Sequence, residues 1–314
     1  SALGCGLVSQ VTGLYLAAVV QAGAYAATFA IAAPFELSTT SVWTWLFTFV
    51  AVDFLYYLWH WASHRVNVLW AAHVVHHQSE DYNLAVALRQ AIFTPITAIP
   101  FYLPLVLVGV PPVVFLTCLA LNTLFQFWIH TRLIDRMPNW FEAVFNTPSH
   151  HRVHHGINPI YIDRNHAGVF IVWDKWFGTF QAEVTEPMYG VVEGHPTYDV
   201  LTSNFAPYAK LGRNMLRAGI LDGMRLAFGP PEWRPASLGG PVQIPEPESR
   251  LRFDPRVSRR IQLYVAAWFV PMSAVIFAML WFAPAADVRW MWLGGAFVLA
   301  TQISQSALLH GWKY

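Results

Sequence analysis

The chain is built around apolar stretches long enough, or nearly long enough, to cross a lipid bilayer, which takes about 20 mostly apolar residues per helix. Charged residues make up only 12% of it, against about 25% in soluble domains. Together with 16% aromatic residues, this composition indicates lipid-facing surface and interfacial aromatic belts. We therefore expect an all-α integral membrane protein. Its transmembrane helix bundle would use residues 7–33, 42–61, 92–110 and 113–129, followed by a C-terminal transmembrane hairpin in 261–314.

The positive charges indicate which side of the membrane holds the polar parts. Of the 19 lysines and arginines, 17 lie in two polar segments, 62–91 and 130–260. The third and fourth apolar stretches are separated only by Pro111-Pro112 and form a hairpin that returns to the side it left. Both polar segments therefore share one side, which the positive-inside rule makes cytosolic. Residues 1–260 would form one multi-pass, membrane-embedded domain, and the C-terminal hairpin would be separate from it.

Composition also excludes some partners and sites. A formal net charge of +1 argues against nucleic acid. Cys5 and Cys118 each lie in an apolar run, so neither a disulfide framework nor a thiolate metal site is expected. Arginine far outnumbers lysine, which favours a GC-rich bacterial genome, and hence a bacterial inner membrane over the endoplasmic reticulum.

Ten of the thirteen histidines are clustered. Positions i, i+3 and i+4 of a helix face one way, so the histidines of each cluster should point together. Imidazole suits iron, copper, nickel and zinc. Eight or nine such ligands exceed what one ion takes from a protein, which predicts a dinuclear site in a cytosolic, histidine-rich helical cap. The clusters are His60 with His64; His73, His76 and His77; His130; and His150, His151, His154 and His155.

The alternatives differ in class. A lone histidine is usually a solvated or capping residue, but three clusters at helical spacing at one membrane face are not explained in that way. A metal transporter would place its site near the bilayer midplane on broken helices, whereas these histidines lie at helix ends and in polar segments. A structural membrane protein with incidental histidines would not need the clustering at all.

Three carboxylates are candidates for orienting the ligands. Asp53 lies about two helical turns before His60 and either accepts from a ligating imidazole or makes a packing hydrogen bond to Tyr or Trp. Glu80, next to Asp81, either orients a ligand or caps a helix. Asp174 is the third candidate and belongs to one of the segments compared below.

The pattern H-x3-H, H-x2-H-H, H-x2-H-H resembles the fatty acid hydroxylase superfamily, which includes sterol desaturases and C4-methyl oxidases. The resemblance is strong over about residues 45–190 and implies a di-iron membrane oxygenase with a cytosol-facing site on a four-helix transmembrane core. Segments 53–57, 70–73, 76–84, 87–90, 126–131, 146–156 and 173–180 are similar to a narrower branch, the alkylglycerol monooxygenases. By matching position the resemblance implies metal ligation by His60, His64, His73, His76, His77, His130, His151, His154 and His155, with His150 and His166 as further candidates.

The resemblance implies oxygen activation at two iron ions, with zinc as a substitute in isolated protein. A lipid entering from the membrane would be hydroxylated with O2 and electrons from tetrahydrobiopterin, which for an O-alkylglycerol gives an aldehyde and a glycerol derivative. The alternative is a sterol or other lipid hydroxylase or desaturase supplied by a ferredoxin or cytochrome. Two departures bear on that choice: Trp61 stands where the family commonly has arginine, and His166 where relatives often have tyrosine.

Overall fold

A computed structural model describes residues 17–193, 197–244, 253, 257–282 and 285–309. Cys5 and the first part of the expected 7–33 span lie outside these residues. The described chain is helical, as expected, and its only β-type pairings are two isolated bridges, Phe145 with Phe170 and Gly156 with Tyr189.

The helices are numbered in chain order. A π-helical turn over Ala17–Gly23 leads into the first, and short 3-10 turns occur at Pro159–Tyr161 and Ala236–Leu238. The α-helices are α1 (Ala24–Ala32), α2 (Val42–Arg65), α3 (Asn67–His77), α4 (Leu84–Ala87), α5 (Thr94–Tyr102), α6 (Pro104–Leu107), α7 (Pro112–Trp128), α8 (Asn139–Val144), α9 (Pro148–His155), α10 (Val172–Phe177), α11 (Val200–Ala218), α12 (Ile220–Phe228), α13 (Arg259–Phe282) and α14 (Val288–Leu309).

Every apolar stretch predicted as a span is helical where the structure describes it. By length and composition, two of the described helices, α2 and α13, are long and apolar enough to cross a membrane. The expected span 92–110 is divided into α5 and α6, because Pro104 begins a new helix and Pro100 removes a hydrogen bond inside the first. Crossing by every predicted span, and the side on which the polar segments lie, stay predictions.

The first hydrophobic core joins the N-terminal helices. Helix α2 packs along α7, and both contact the segment of α5 and α6. The Tyr25 ring stacks on Phe115 with 4.1 Å between ring centroids, and its hydroxyl donates to the Val110 carbonyl. Val52 and Trp59 of α2 are buried in the same core, so α2 is packed up to the residue before His60.

The polar segments fold over the end of α2. Helix α3 follows α2 after a single residue, Val66, and α11 packs along α3. Val200 at the start of α11 contacts Ile92 and Leu299, so this layer also touches the C-terminal helix α14. The polar segments and α2 thus enclose one buried region.

Candidate metal centre

The first pair of predicted ligands lies in the last two turns of α2. His60 and His64 are buried on one face of that helix, with 5.3 Å between ring centroids. Helix α3 supplies the next three, and His73 comes within reach of the first pair, its Nε2 lying 2.9 Å from Nε2 of His60. The connection of α2 to α3 through one residue brings these two clusters together.

The third cluster lies on α9, and its sequence explains why a helix starts there. The Thr147 side chain accepts a hydrogen bond from the His150 N–H, and Pro148 occupies the first helical position. His151 Nε2 lies 2.9 Å from Nε2 of His130, which follows the end of α7. His130 in turn lies 3.2 Å from His76.

The nine predicted ligands form two groups, in each of which the ligand atoms lie within 4.8 Å of one another. Helical spacing predicts that each triplet points together, whereas the structure divides both triplets between the groups. His76 separates from His73 and His77, and His154 separates from His151 and His155. The first group is His60, His64, His73, His77 and His154; the second is His76, His130, His151 and His155.

The donor set fits two metal ions. Two neighbouring imidazole nitrogens bound at about 2.1 Å to one octahedral ion lie about 3 Å apart, close to the 2.9 Å between His60 and His73 and between His130 and His151. Buried polar atoms normally have a partner, yet Nε2 of His154 and of His155 has none among the described residues. The residues present therefore suit a metal site of neutral nitrogen ligands.

Backbone carbonyls orient several of these imidazoles. Nδ1 of His60 lies 2.7 Å from the His166 carbonyl, and Nδ1 of His154 lies 2.9 Å from that of Arg164. His130 and His76 make the same contact, with Gln126 and Arg89 respectively. A proton held on Nδ1 leaves Nε2 free for a metal, the arrangement usual for ligating histidines.

Burial keeps the ligands neutral. For three ligands that lie outside α2, His76, His130 and His154, burial away from water is the main cause that lowers the pKa to about 3. Neighbouring imidazoles lower these values further, because two cations in one buried site repel each other. A metal ligand must be unprotonated, so the site is ready to bind cations at neutral pH.

Asp53 does not contact a ligand histidine directly, contrary to one of the two readings of its position. Its Oδ1 accepts from Asn122 Nδ2 and the Val169 N–H, both at 2.6 Å. Its Oδ2 accepts from the Phe170 N–H at 3.0 Å and Trp173 Nε1 at 2.8 Å. The packing alternative, including a tryptophan donor, describes it better.

Asp53 acts on the metal centre through the backbone, and Asp174 assists it. Asp174 accepts from the N–H groups of His166 and Ala167, each at 2.8 Å. The two carboxylates thus hold residues 166–170, whose first carbonyl orients His60. Gly168 is required between them, since a Cβ there would lie 2.7 Å from Asp53 Oδ1.

Three other predicted residues lie outside both groups. Glu80 accepts from the Phe253 N–H at 2.8 Å and so fastens a distant segment instead of a ligand. His150 Nε2 lies 3.9 Å from Glu142, where α9 meets α8. His166 is closer, with its ring 5.0 Å from that of His64, but its Nε2 contacts the Asp163 carbonyl at 3.1 Å.

Sequence analysis missed two residues that support the centre. Asp163 lies 3.4 Å from His64 Nδ1 and pairs with Arg65, and burial raises the pKa of its carboxyl to about 6. Arg89 is 1% exposed and donates to the Val75 carbonyl, at the end of α3 that carries the ligands. Arg89 lies in a segment used for the family resemblance, whereas Asp163 has no motif that would single it out.

A cavity of about 500 Å³ adjoins the first group. His64, His77 and His154 line it together with His155 of the second group. Apolar side chains of α3, α11 and α12 line it as well, alongside charged ones such as Glu193, Arg213 and Arg234. Its volume lies within the 300–1,000 Å³ typical of small-molecule sites. A ligand in this cavity would reach the histidines while its remaining length lies between α3 and α11.

The helical fold, the candidate spans and the buried histidine groups define a membrane protein with a histidine-ligated metal site. Residues 45–179 match the family model described as fatty acid hydroxylase. This part of the chain is thus a fatty acid hydroxylase domain, which confirms the resemblance in the histidine spacing.

The chain is also similar to enzymes from animals. The chain is 41% identical to human alkylglycerol monooxygenase over 244 residues, 76% of this chain and 54% of that protein. It is 41% identical to the Danio rerio enzyme of that name over 238 residues, 74% of this chain and 53% of the relative. The chain thus spans about half the length of these relatives. No solved structure matches it.

Proposed function

We propose that the chain is a membrane monooxygenase that uses two iron ions and O2 to hydroxylate a C–H bond of a lipid. The observation that supports this proposal is the two buried groups, which together contain nine histidines and adjoin a cavity of about 500 Å³. The nine histidines would hold the metal, with His60, His64, His73, His77 and His154 at one ion and His76, His130, His151 and His155 at the other. Iron bound there would supply oxygen activation.

The substrate class that the relatives favour is an O-alkylglycerol. These relatives are alkylglycerol monooxygenases, and their identity to this chain is about 40%. The ether-bearing carbon loses a C–H bond and gains a hydroxyl, the second oxygen atom of O2 leaves as water, and a two-electron reductant, proposed to be tetrahydrobiopterin, is oxidised. The hemiacetal formed then separates into a fatty aldehyde and a glycerol derivative.

The residues of this chain would position the lipid and exclude water. The alkyl chain would lie against apolar cavity residues such as Ala71, Val74 and Leu211, with its ether end towards His64 and His77. We further propose a multi-pass arrangement in a bacterial inner membrane with the centre on the cytosolic side. A lipid could then enter from the bilayer while its head group stays at the interface.

The test is a product assay on membranes that contain the full chain. Membranes are incubated with a labelled 1-O-alkylglycerol, tetrahydrobiopterin and O2, and the expected product is fatty aldehyde, absent in the His76→Ala variant. Iron-replete protein should contain about two metal ions per chain by elemental analysis. Aldehyde formed only with ferredoxin or cytochrome, or oxidation of sterols alone, would favour the alternative of a different lipid hydroxylase or desaturase. One metal or none would contradict the dinuclear site.

A further inference from the structure

Helix α12 has apolar side chains over a wide arc, part of which is buried and part exposed. Gly223, Leu226 and Ala227 are buried against the protein. The exposed part carries large apolar side chains at positions i, i+1, i+4 and i+8, which lie within about 100° around a helix. We call this face the outer stripe: Ile220, 83% exposed, Leu221, 73%, Met224, 51%, and Phe228, 69%.

The outer stripe lies level with the end of a candidate membrane span. Helix α2 ends at Arg65, and two residues later the Asn67 N–H donates to the carbonyl of Gly229, directly after α12, at 2.9 Å. Trp61, in the last turns of α2, is 41% exposed. Exposed tryptophan at the end of a span is typical of the membrane–water interface. The C-terminal end of helix α12 therefore lies where that interface would be.

Two arginines shortly before the outer stripe in the chain are exposed. Arg213 and Arg217 are exposed at the end of α11, and neither forms an ion pair with any residue that the structure describes. Arg225 pairs with Asp222 across one turn of α12 at 3.3 Å. An apolar helix face preceded in the chain by unpaired arginines matches a bilayer surface with anionic head groups.

The same corner forms a wall of the cavity beside the metal centre. Arg213, Arg217 and Leu226 line that cavity. Leu226 belongs to the buried face of α12, opposite the outer stripe. Helix α12 is thus a wall one helix thick between the cavity and the surface that the outer stripe presents.

We propose that the corner of α11 and α12, residues 213–228, lies in the interface of a membrane that contains anionic lipid. The outer stripe enters the acyl-chain region, and Arg213 and Arg217 bind phosphate groups of the lipid head groups. This contact holds the wall of the cavity against the bilayer. It requires no turnover at the metal centre, so it can fail or hold independently of the proposed function.

The test uses the full chain in nanodiscs made with brominated phosphatidylcholine or brominated phosphatidylglycerol. A fluorescent thiol label is placed by Leu221→Cys, Met224→Cys or Asp222→Cys on a Cys5→Ser background, in which the remaining Cys118 is buried. Bromine on the acyl chains should quench the labels at Leu221 and Met224 several-fold more than the label at Asp222. The contrast between adjacent positions is an internal control, because all three variants share one helix.

The charge arm compares the two lipids. Quenching at Leu221 should be stronger with brominated phosphatidylglycerol, and Arg213→Gln with Arg217→Gln should reduce that preference by about fivefold per arginine. Lys210→Gln is the matched control, since Lys210 is already paired with Glu193 at 2.9 Å and should change the preference little. Equal quenching at Leu221 and Asp222 would overturn the proposal. So would disulfide-linked dimers of Leu221→Cys without lipid quenching, because a second copy would then cover the stripe.

Discussion

Replacing Asp53 with asparagine should loosen the segment that orients His60. The carboxylate accepts four hydrogen bonds, two on each oxygen, from Asn122, Val169, Phe170 and Trp173. An amide keeps one oxygen, so two donors would face an NH2 group instead of an acceptor. Hydrogen bonds to charged groups contribute about 1.5–3 kcal/mol each, which gives about 3–6 kcal/mol for two.

The lower end of that range is expected, because a buried amide costs less to desolvate than a buried carboxylate and Asn122 can flip its own amide to match. A loss of about 3 kcal/mol should lower the midpoint of thermal unfolding by roughly 5 °C in detergent. The metal content should fall as well, since His60 depends on the position of the His166 carbonyl. Trp173→Phe is the matched control, because it removes a single donor and should cost about half as much.

The assay is thermal unfolding of the purified full chain, followed by elemental analysis of the same samples. If Asp53→Asn unfolds at the wild-type temperature with its full metal content, the carboxylate does not hold residues 166–170 in place. If stability falls but metal content does not, the proposed link from Asp53 through the backbone to His60 is wrong.

Further substitutions test the two groups and the cavity. His76→Ala and His154→Ala remove ligands from different groups, so each should lower the metal content of iron-replete protein by about one ion and abolish aldehyde formation. His150→Ala is the control and should leave the metal content unchanged. An equal loss of metal in all three variants would contradict the grouping. Leu211→Phe should narrow the cavity and reduce kcat/KM for substrates with long alkyl chains by about 10-fold or more. Substrates with short chains should be affected less, and the metal content should not change. An equal effect on all chain lengths would mean that the alkyl chain lies elsewhere. Arg89→Lys keeps the positive charge but loses some of the guanidinium's hydrogen bonds to Val75, Gln78 and Ser203, so the midpoint of thermal unfolding should fall by several degrees. An unchanged midpoint would show that one ammonium group replaces the guanidinium.

The sequence predicted the helical character of the chain and the proximity of nine histidines, for physical reasons. Length and apolarity indicate helices directly, and each expected stretch is helical where described. Histidine is uncommon enough that three clusters at helical spacing carry a strong signal. All nine predicted ligands come together in the structure, whereas His150 and His166, which were weaker candidates, stay outside the groups.

The supporting residues were less predictable, because their partners are distant in sequence. Spacing along the helix predicts Asp53 as a partner of His60, seven positions away, but its donors come from residues 122 and 169–173. Glu80 follows the second histidine cluster in sequence, yet it accepts from Phe253. Spacing along one helix indicates which side chains share a face, and it contains no information about which other segment meets that face.

The sequence by itself determined that this chain has membrane-spanning character and a histidine-rich metal centre, since both follow from residue type and local periodicity. The tertiary structure alone decided how the nitrogens divide between two groups. His73 and His76 lie in one turn of α3, yet one meets α2 and the other meets His130. That division depends on how α2, α3, α7 and α9 cross, which is a property of the packed core and not of any single helix.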